Sequence, residues 1–464
     1  MEYGPLVVAG QRQRRSLDEL IERTPADGVV VGVGRIGGRP VGVVAYDYTV
    51  LAGTQGFQGH RKQDRLFAVA ARSRLPLVIY AEGGGGRPGE TDHPGVAGLD
   101  VPTFAGLARL SGLVPLVGIV SGRCYAGNAA LLGLCDVIIA TADANIGMGG
   151  PAMIEGGGLG VFAPEDIGPV DVQTANGVVD LAVADEAEAT AAARRYLAYF
   201  AGRAAPGERG CADQRRLRHL VPEDRTRVYE IRPVLETLAD TGSVLELRPA
   251  FGRTMVTALA RVDGRAIGVV ANDPMQLSGA IDADGADKAA RFLQLCDAFD
   301  LPVLFLCDTP GIMVGPDAER TALVRHVSRL FMVGANLDVP AATIVLRKGY
   351  GLGSMTMAAG GFKEALFCVA WPTGEFGGMG LEGAVRLGFR RELEAIADPA
   401  ERERFYAAKL AALYERGRAT SAATAFEIDD VIDPADSRRW ITATLTATPP
   451  PARPGKKRPF IDTW

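Results

Sequence analysis

Apolar and polar positions along this chain fall into blocks, and the blocks occur twice. Residues 28–50 hold two β-rich runs, Val29 to Val33 and Pro40 to Val44, joined by Arg35-Ile36-Gly37-Gly38. Further along, Thr254 to Arg261 and Ala266 to Ala271 are joined by Val262-Asp263-Gly264-Arg265. Asp-Gly between apolar runs predicts a hairpin, because such a turn needs positive φ at both central residues. A helical period follows: residues 286–299 place Ala289, Phe292, Leu293, Cys296 and Phe299 on one face, and 58–72 is the counterpart. Each helix leads through Leu-Pro into a buried strand, Leu77 to Ala81 and Val303 to Cys307. Each of these strands ends in a loop, Glu82-Gly83-Gly84-Gly85-Gly86-Arg87 and Asp308-Thr309-Pro310-Gly311. Then come an apolar strand (Val114 to Val120; Ala341 to Leu346), a turn opening on Tyr125 or Tyr350, a helix (Ala129 to Leu134; Ser354 to Ala359) and a further buried strand (Asp136 to Ala140; Leu366 to Ala370). A short helix is also predicted over 16–23. Strands alternating with helices in this order predict an α/β fold.

The repetition extends to individual residues. At a constant offset of 226, Arg39 meets Arg265, Asp47 meets Asp273, Gly53 meets Gly279, Lys62 meets Lys288 and Gly85 meets Gly311. After a one-residue shift, Tyr125-Ala126-Gly127-Asn128 lies against Tyr350-Gly351-Leu352-Gly353. Two copies of one fold are therefore expected, over 1–222 and 223–464, with two like sites for two similarly shaped reactants. The charged stretch 201–225 reads as a solvated linker, and 449–458 as an extended arm.

Composition narrows the function. The 464 residues carry a net charge of −5, so no basic field invites nucleic acid. Six cysteines form no Cys-x-x-Cys pair, and with four histidines no metal-ligand spacing appears. Cys124 sits in a turn with nothing resembling a base nearby, and Cys296, Cys307 and Cys368 read as core residues. No apolar run approaches the roughly 20 residues of a membrane span, and no signal segment is visible; a cytoplasmic protein is expected. Gly32-Val33-Gly34-Arg35-Ile36-Gly37 matches a dinucleotide-binding pattern, but Pro40 and a Val-rich run follow where that pattern needs a helix, so the hairpin is preferred. There is no Walker loop, and no Met-Lys dipeptide of the kind that carries biotin.

The two tyrosine turns are the best candidates for chemistry. In each a buried strand ends, small residues follow and a helix begins, so a substrate oxygen can approach backbone N–H groups. Gly127, Asn128, Leu352 and Gly353 are the candidate oxyanion-binding residues. Tyr125, Ala126, Tyr350, Gly351 and Met355 flank them. Glu155 and His326 are weaker candidates, and Asp47 and Asp273, at matching positions, read as structural.

These residues resemble the carboxyltransferase (β) subunits of biotin-dependent acyl-CoA carboxylases, of the propionyl-CoA and methylcrotonyl-CoA carboxylase type, in the crotonase superfamily. The resemblance rests on Val44-Ala45-Tyr46-Asp47-Tyr48-Thr49-Val50, Ala271-Asn272-Asp273-Pro274-Met275-Gln276, Lys288-Ala289-Ala290-Arg291-Phe292, Pro310-Gly311-Ile312, Arg347-Lys348-Gly349-Tyr350-Gly351 and Gly380-Leu381-Glu382-Gly383-Ala384-Val385. Ile432-Asp433-Pro434 and the closing Lys457 to Trp464 are also similar. It implies two tandem crotonase-like domains (the ClpP/crotonase spiral) of repeated ββα units. The first turn, at Gly127 and Asn128, would bind the acyl-CoA thioester oxygen. The second, at Tyr350 to Gly353, would bind the ureido oxygen of biotin, and Met355 would line the acyl pocket. Carboxybiotin on a separate carrier would release CO2, the biotin left behind would take the α-proton of the acyl-CoA, and the acyl enolate would attack CO2. No metal is implied. Partners implied are a biotin carboxylase and biotin carboxyl carrier subunit, together with further copies of this chain in a hexamer, a trimer of dimers.

The chain also departs from the family. Asn128 and Leu352 stand where the family usually has glycine, and the Asn128 side chain is expected to intrude on the first turn. A zinc ribbon is absent and the segment before Val29 is short. Alternative readings are a biotin-linked decarboxylase or transcarboxylase subunit, a non-catalytic scaffold subunit of a carboxylase complex, and a CoA-dependent hydratase or isomerase without biotin.

Overall fold

The computed structural model describes residues 1–92, 98–205, 207, 209–448 and 460–464. It divides into two compact units, one covering residues 1–201 with the chain's last residues, the other 202–452.

The first unit opens with a helix, Leu17–Arg23, capped by Ser16, whose hydroxyl accepts from Glu19 N. The hairpin follows: β1 (Val29–Ile36) and β2 (Arg39–Tyr46) pair antiparallel in a continuous register from Val29 opposite Tyr46 to Ile36 opposite Arg39. Gly37 and Gly38 both have positive φ, as a tight turn of this hand requires. This disposes of the dinucleotide pattern. The remaining strands are β3 (Leu77–Tyr80), β4 (Leu116–Val120), β5 (Arg123–Tyr125), β6 (Val137–Thr141), β7 (Asn145–Gly147) and β8 (Leu181–Val183). A six-stranded sheet runs β1-β2-β3-β4-β6-β8, parallel beyond β2, and β5 pairs with β7 apart from it. The helix Phe57–Ser73 buries Leu66, Phe67 and Ala70 in the core with Val31, Val44, Leu77 and Ile79.

The second unit repeats the plan. It holds β9 (Leu245–Leu247), β10 (Met255–Val262), β11 (Arg265–Asn272), β12 (Val303–Thr309), β13 (Ala341–Tyr350), β14 (Phe367–Ala370), β15 (Glu375–Gly377) and β16 (Asp430–Val431). Their sheet runs β16-β14-β13-β12-β11-β10-β9, with β15 also on β13. The β10–β11 turn has positive φ at Asp263 and Gly264. The helix Ala283–Ala298 is buried along almost all its length.

The duplication reaches the hydrogen bonds. Lys62 Nζ donates to Ala26 O and Val29 O, and Lys288 Nζ to Phe251 O and Met255 O. Gly42 N donates to Pro76 O, and Gly268 N to Pro302 O. Asp47 and Asp273 each receive a backbone N–H two residues on, from Thr49 and Met275, which is the structural role expected of them.

Three expectations are corrected. The unit boundary lies at 201/202 rather than 222, and the stretch after it is no solvated linker. Arg203 pairs with Asp263, Ala204 N donates to Gly264 O (2.8 Å), and Arg209 donates to Ala204 O, so the segment is docked on the β10–β11 turn. The turn helices span Gly127–Gly133 and Gly351–Thr356, starting two and three residues earlier than the apolar pattern predicts. The reason is that the small residues before the first apolar side chain already adopt helical backbone. The proposed arm lies almost wholly outside the described residues; in the first unit Ile461 N donates to Ser111 Oγ (2.9 Å).

Candidate functional site

Both tyrosine turns have one construction. A strand ends in the tyrosine, the next residue takes positive φ (Ala126, 51°; Gly351, 58°), and a helix starts at once. Glycine suits that conformation, whereas Ala126 adopts it at a steric cost that surrounding contacts must hold. Because the helices begin so early, the amides of Gly127, Asn128, Leu352 and Gly353 lie in the first helical turn, where N–H groups have no acceptor within the helix. With seven and six residues, the helices are too short for their summed dipole to matter more than these individual N–H groups.

A second element completes each site. The glycine loop after β3 packs on the first turn: a Cβ on Gly85 would lie 2.5 Å from Ala126 Cβ and 3.2 Å from Gly127 N. In the second unit a Cβ on Gly353 would lie 2.7 Å from Gly311 Cα. Only glycine permits these approaches, and Gly85 and Gly311 occupy matching positions. The match was visible in the sequence, but their contact with the turns was not.

Asn128 and Gly353 also match, and the structure corrects the expected intrusion of the asparagine. The Asn128 side chain is wholly buried. Its Oδ1 accepts from Gly85 N (3.0 Å), and its Nδ2 donates to Gly53 O and Glu82 O (3.3 Å each). The carboxamide thus holds the glycine loop against the turn and leaves the open face of the turn clear. Leu352, by contrast, is 59% exposed, and Met355 38%, one helical turn along the same face.

The tyrosines face inward and are held differently. Tyr125 hydroxyl donates to Pro164 O (2.9 Å), while Tyr350 hydroxyl donates to Glu375 Oε2 (3.0 Å), and burial beside that carboxylate pushes the Tyr350 phenol far up. Glu375 also pairs with Arg225, which stacks on the Tyr414 ring, and these three residues line a cleft of about 850 Å³. No sequence pattern marked Glu375, Arg225 or Tyr414. Beneath the second turn, Arg347 and Asp308 form a buried ion pair (3.2 Å), and Asp308 also accepts from Lys348 N (3.0 Å).

The side chains that the sequence offered for acid–base work are buried, exposed or otherwise engaged. Cys124 is buried and burial holds its thiol well above the usual range. Glu155 lies on the short exposed helix Pro151–Gly156. His326 is engaged by Asp287 (2.5 Å) on a different helix of the second unit. Among the described residues no cluster of three or more His, Cys, Asp or Glu could hold a metal ion, and no helix is long and apolar enough to cross a membrane.

The model of the carboxyl transferase domain family matches residues 6–459. The methylmalonyl-CoA carboxyltransferase 12S subunit of Propionibacterium freudenreichii subsp. shermanii is 34% identical over 93% of this chain and 83% of its own length. The biotin-dependent long chain acyl-coenzyme A carboxylase beta4 subunit of Mycobacterium tuberculosis is 33% identical over 90% and 81%. Among solved structures, a single-chain, multi-domain long-chain acyl-CoA carboxylase is 59% identical with a TM-score of 0.89; the match covers 96% of this chain but only 44% of that one. The transcarboxylase 12S structure, described as a hexamer assembly, matches at 32% identity and a TM-score of 0.86, covering 99% and 88%. Two matched units with a backbone-lined turn in each, and likenesses that run almost end to end, place this chain in the carboxyl transferase family, as an enzyme of two tandem crotonase-like domains.

Proposed function

We propose that the chain transfers a carboxyl group from carboxybiotin on a separate carrier to the α carbon of an acyl-CoA, with the first unit serving the acyl-CoA and the second the carboxybiotin. One observation carries this reading: the same turn, with first-turn amides backed by the loop that follows the neighbouring strand, is present in both units. Such a turn suits an oxygen that gains negative charge, because fixed N–H groups stabilise it without reorganising. The thioester oxygen gains that charge when the α-proton leaves, and the amides of Gly127 and Asn128 are its donors.

Biotin fits the second turn on the donor chemistry present. Its ureido oxygen needs N–H groups, which Leu352 and Gly353 provide, and its ring needs apolar surface, which exposed Leu352 provides. Carboxybiotin supplies the carboxyl group and, once that has left, the base. The chain's part is to hold two oxygens and to keep competing side chains away. The transcarboxylase likeness makes a related carboxyl-moving reaction the second reading, since it uses the same two turns.

We infer that the working form is a closed homo-oligomer, a hexamer of three dimers, in which the first-unit turn of one copy meets the second-unit turn of its partner, joined by a biotin carboxylase and carrier protein. Val314, Val324, Met332 and Leu352 are exposed apolar side chains of the second unit, of the kind that association covers. Six free thiols suit a reducing compartment, so we place the enzyme in the cytoplasm. The test mixes a variant disabled at 127–128 with one disabled at 352–353. Mixed dimers hold one intact composite site, so some turnover should return when the two are co-refolded. An active monomer by light scattering at micromolar concentration would remove the interface site.

Met355 sets a second expectation. A flexible thioether beside the turn accommodates acyl groups longer than acetyl, in keeping with the long-chain relatives. Met355→Asp should depress turnover of long acyl-CoA thioesters more than short ones, measured across a chain-length series with the carboxylated carrier. An unchanged profile would take Met355 out of the pocket.

A further inference from the structure

The first turn is backed by a buried glutamine that the second lacks. Gln55 N donates to Gly85 O (2.7 Å) and Arg87 N donates to Gln55 O (2.9 Å). In the second unit Ile281 N donates to Gly311 O (3.0 Å) and Met313 N donates to Ile281 O (2.9 Å). The two positions are therefore equivalent in backbone, at the same offset of 226 that relates the units, yet one carries a carboxamide and the other an isoleucine. Gln55 is 5% exposed. Its carboxamide stands where a side chain on Gly127 would begin: a Cβ there would meet Oε1 at 2.3 Å and Cδ at 3.0 Å. Its Nε2 is buried beside the Tyr46 hydroxyl, at a geometry short of a full hydrogen bond.

A buried carboxamide so weakly held costs stability that an isoleucine would not, so a glutamine kept there asks for a reason. It does not stand alone. Gln63 Nε2 donates to Tyr46 hydroxyl (2.8 Å) in the same buried layer, where the matching second-unit residues are Ala289 and Asn272. At these two positions the first unit carries Gln and Tyr where the second carries Ala and Asn, while the second turn has its own buried polar support in Arg347 and Asp308.

We propose that Gln55 is a positioning residue for the first turn: its backbone is held by the glycine loop, and its carboxamide, packed against Gly127, sets the orientation of the Gly127 and Asn128 amides toward the oxygen they hold. The inference rests on the reading that this turn binds the thioester oxygen.

The test uses Gln55→Met, which keeps length and bulk but removes the polar atoms, and Gln55→Ile, which copies the second unit. Both are assayed in the full oligomer with acyl-CoA and carboxylated carrier, after thermal unfolding shows the fold intact. With the amides misaligned, kcat should fall by about 10- to 100-fold while KM for acyl-CoA stays within a factor of about two, since small displacements of reacting groups act on the transition state. Wild-type kcat in Gln55→Met would overturn the proposal. So would parallel loss of kcat, KM and thermal stability, which marks a packing role. Asn128→Pro separates the layers of inference. If it abolishes turnover while Gln55→Met does not, the turn reading stands and the glutamine inference falls. If Asn128→Pro itself turns over normally, the turn reading has failed and this inference fails with it.

Discussion

Proline at position 128, or at position 352, should reduce carboxyl transfer by about 100-fold or more, the usual consequence of deleting one oxyanion donor. Proline removes the N–H and is tolerated in the first turn of a helix, where that N–H has no intrahelical partner. At 128 the substitution also removes the carboxamide that holds Gly85, Gly53 and Glu82, so Asn128→Ala is the necessary companion. Asn128→Ala keeps the N–H and loses only the clamp, and the ratio of the two variants reports the amide. Position 352 is cleaner than 353. Leu352 is exposed and makes no packing demand, whereas a side chain on Gly353 would collide with Gly311. Leu352→Pro against Leu352→Ala therefore isolates the second turn. The measurement is steady-state turnover with acyl-CoA and carboxylated carrier, on variants with native thermal unfolding. Turnover of Leu352→Pro or Asn128→Pro equal to its alanine companion would show that these amides are not the donors.

How much of this was legible in the sequence depends on the range of the interactions involved. The hairpin at 263–264 was legible because Asp-Gly is a local steric statement, and it also disposed of the false dinucleotide pattern at 32–37. The helix predicted over 286–299 and found at Ala283–Ala298 was legible because its period follows from burial of one face. The duplication was legible because its register conserves turn glycines and structural polar residues at one offset. The turns could be located, but not how they are assembled. That Gly85 and Gly311 press on them, and that the Asn128 carboxamide points inward, depends on segments far apart in sequence meeting at the carboxyl ends of neighbouring parallel strands. A side chain that looks bulky for its position in the alignment of halves is in fact sewn into the loop below it. The segment after residue 202 misled for a related reason. Arg203 and Arg209 look like a solvated charged stretch, yet guanidinium groups that find a carboxylate or a carbonyl at a turn dock the chain instead. Glu375 and Arg225 carried no signal at all, since nothing in their neighbours sets them apart from surface charges.

The largest stability effect should come from a residue well away from any expected chemistry. Arg87, at the end of the first glycine loop, is almost completely buried and pairs with Asp27, itself buried, and with Glu90 (3.2 Å). It also donates to Thr54 O (2.8 Å) and Asp27 O (3.1 Å). The matching residue of the second unit is Met313, so the fold does not require an ion there. Arg87→Met should nonetheless destabilise the first unit by about 3–5 kcal/mol, because it leaves the Asp27 carboxylate buried without its cation. The penalty belongs to the orphaned charge, and a second change should recover much of it. Asp27→Asn removes the charge, keeps an oxygen to accept from Gly59 N, and suits the positive φ at that position. The double variant should therefore be clearly more stable than Arg87→Met alone, a non-additivity that chemical denaturation at neutral pH can read directly. Loss below about 1 kcal/mol in Arg87→Met would mean that the pair is not the anchor. Activity adds an independent reading. Arg87 fixes the loop whose Gly85 backs Gly127, so the single variant should lose turnover even at temperatures where it remains folded, and the double variant should regain stability ahead of turnover because the bonds to Thr54 are still missing.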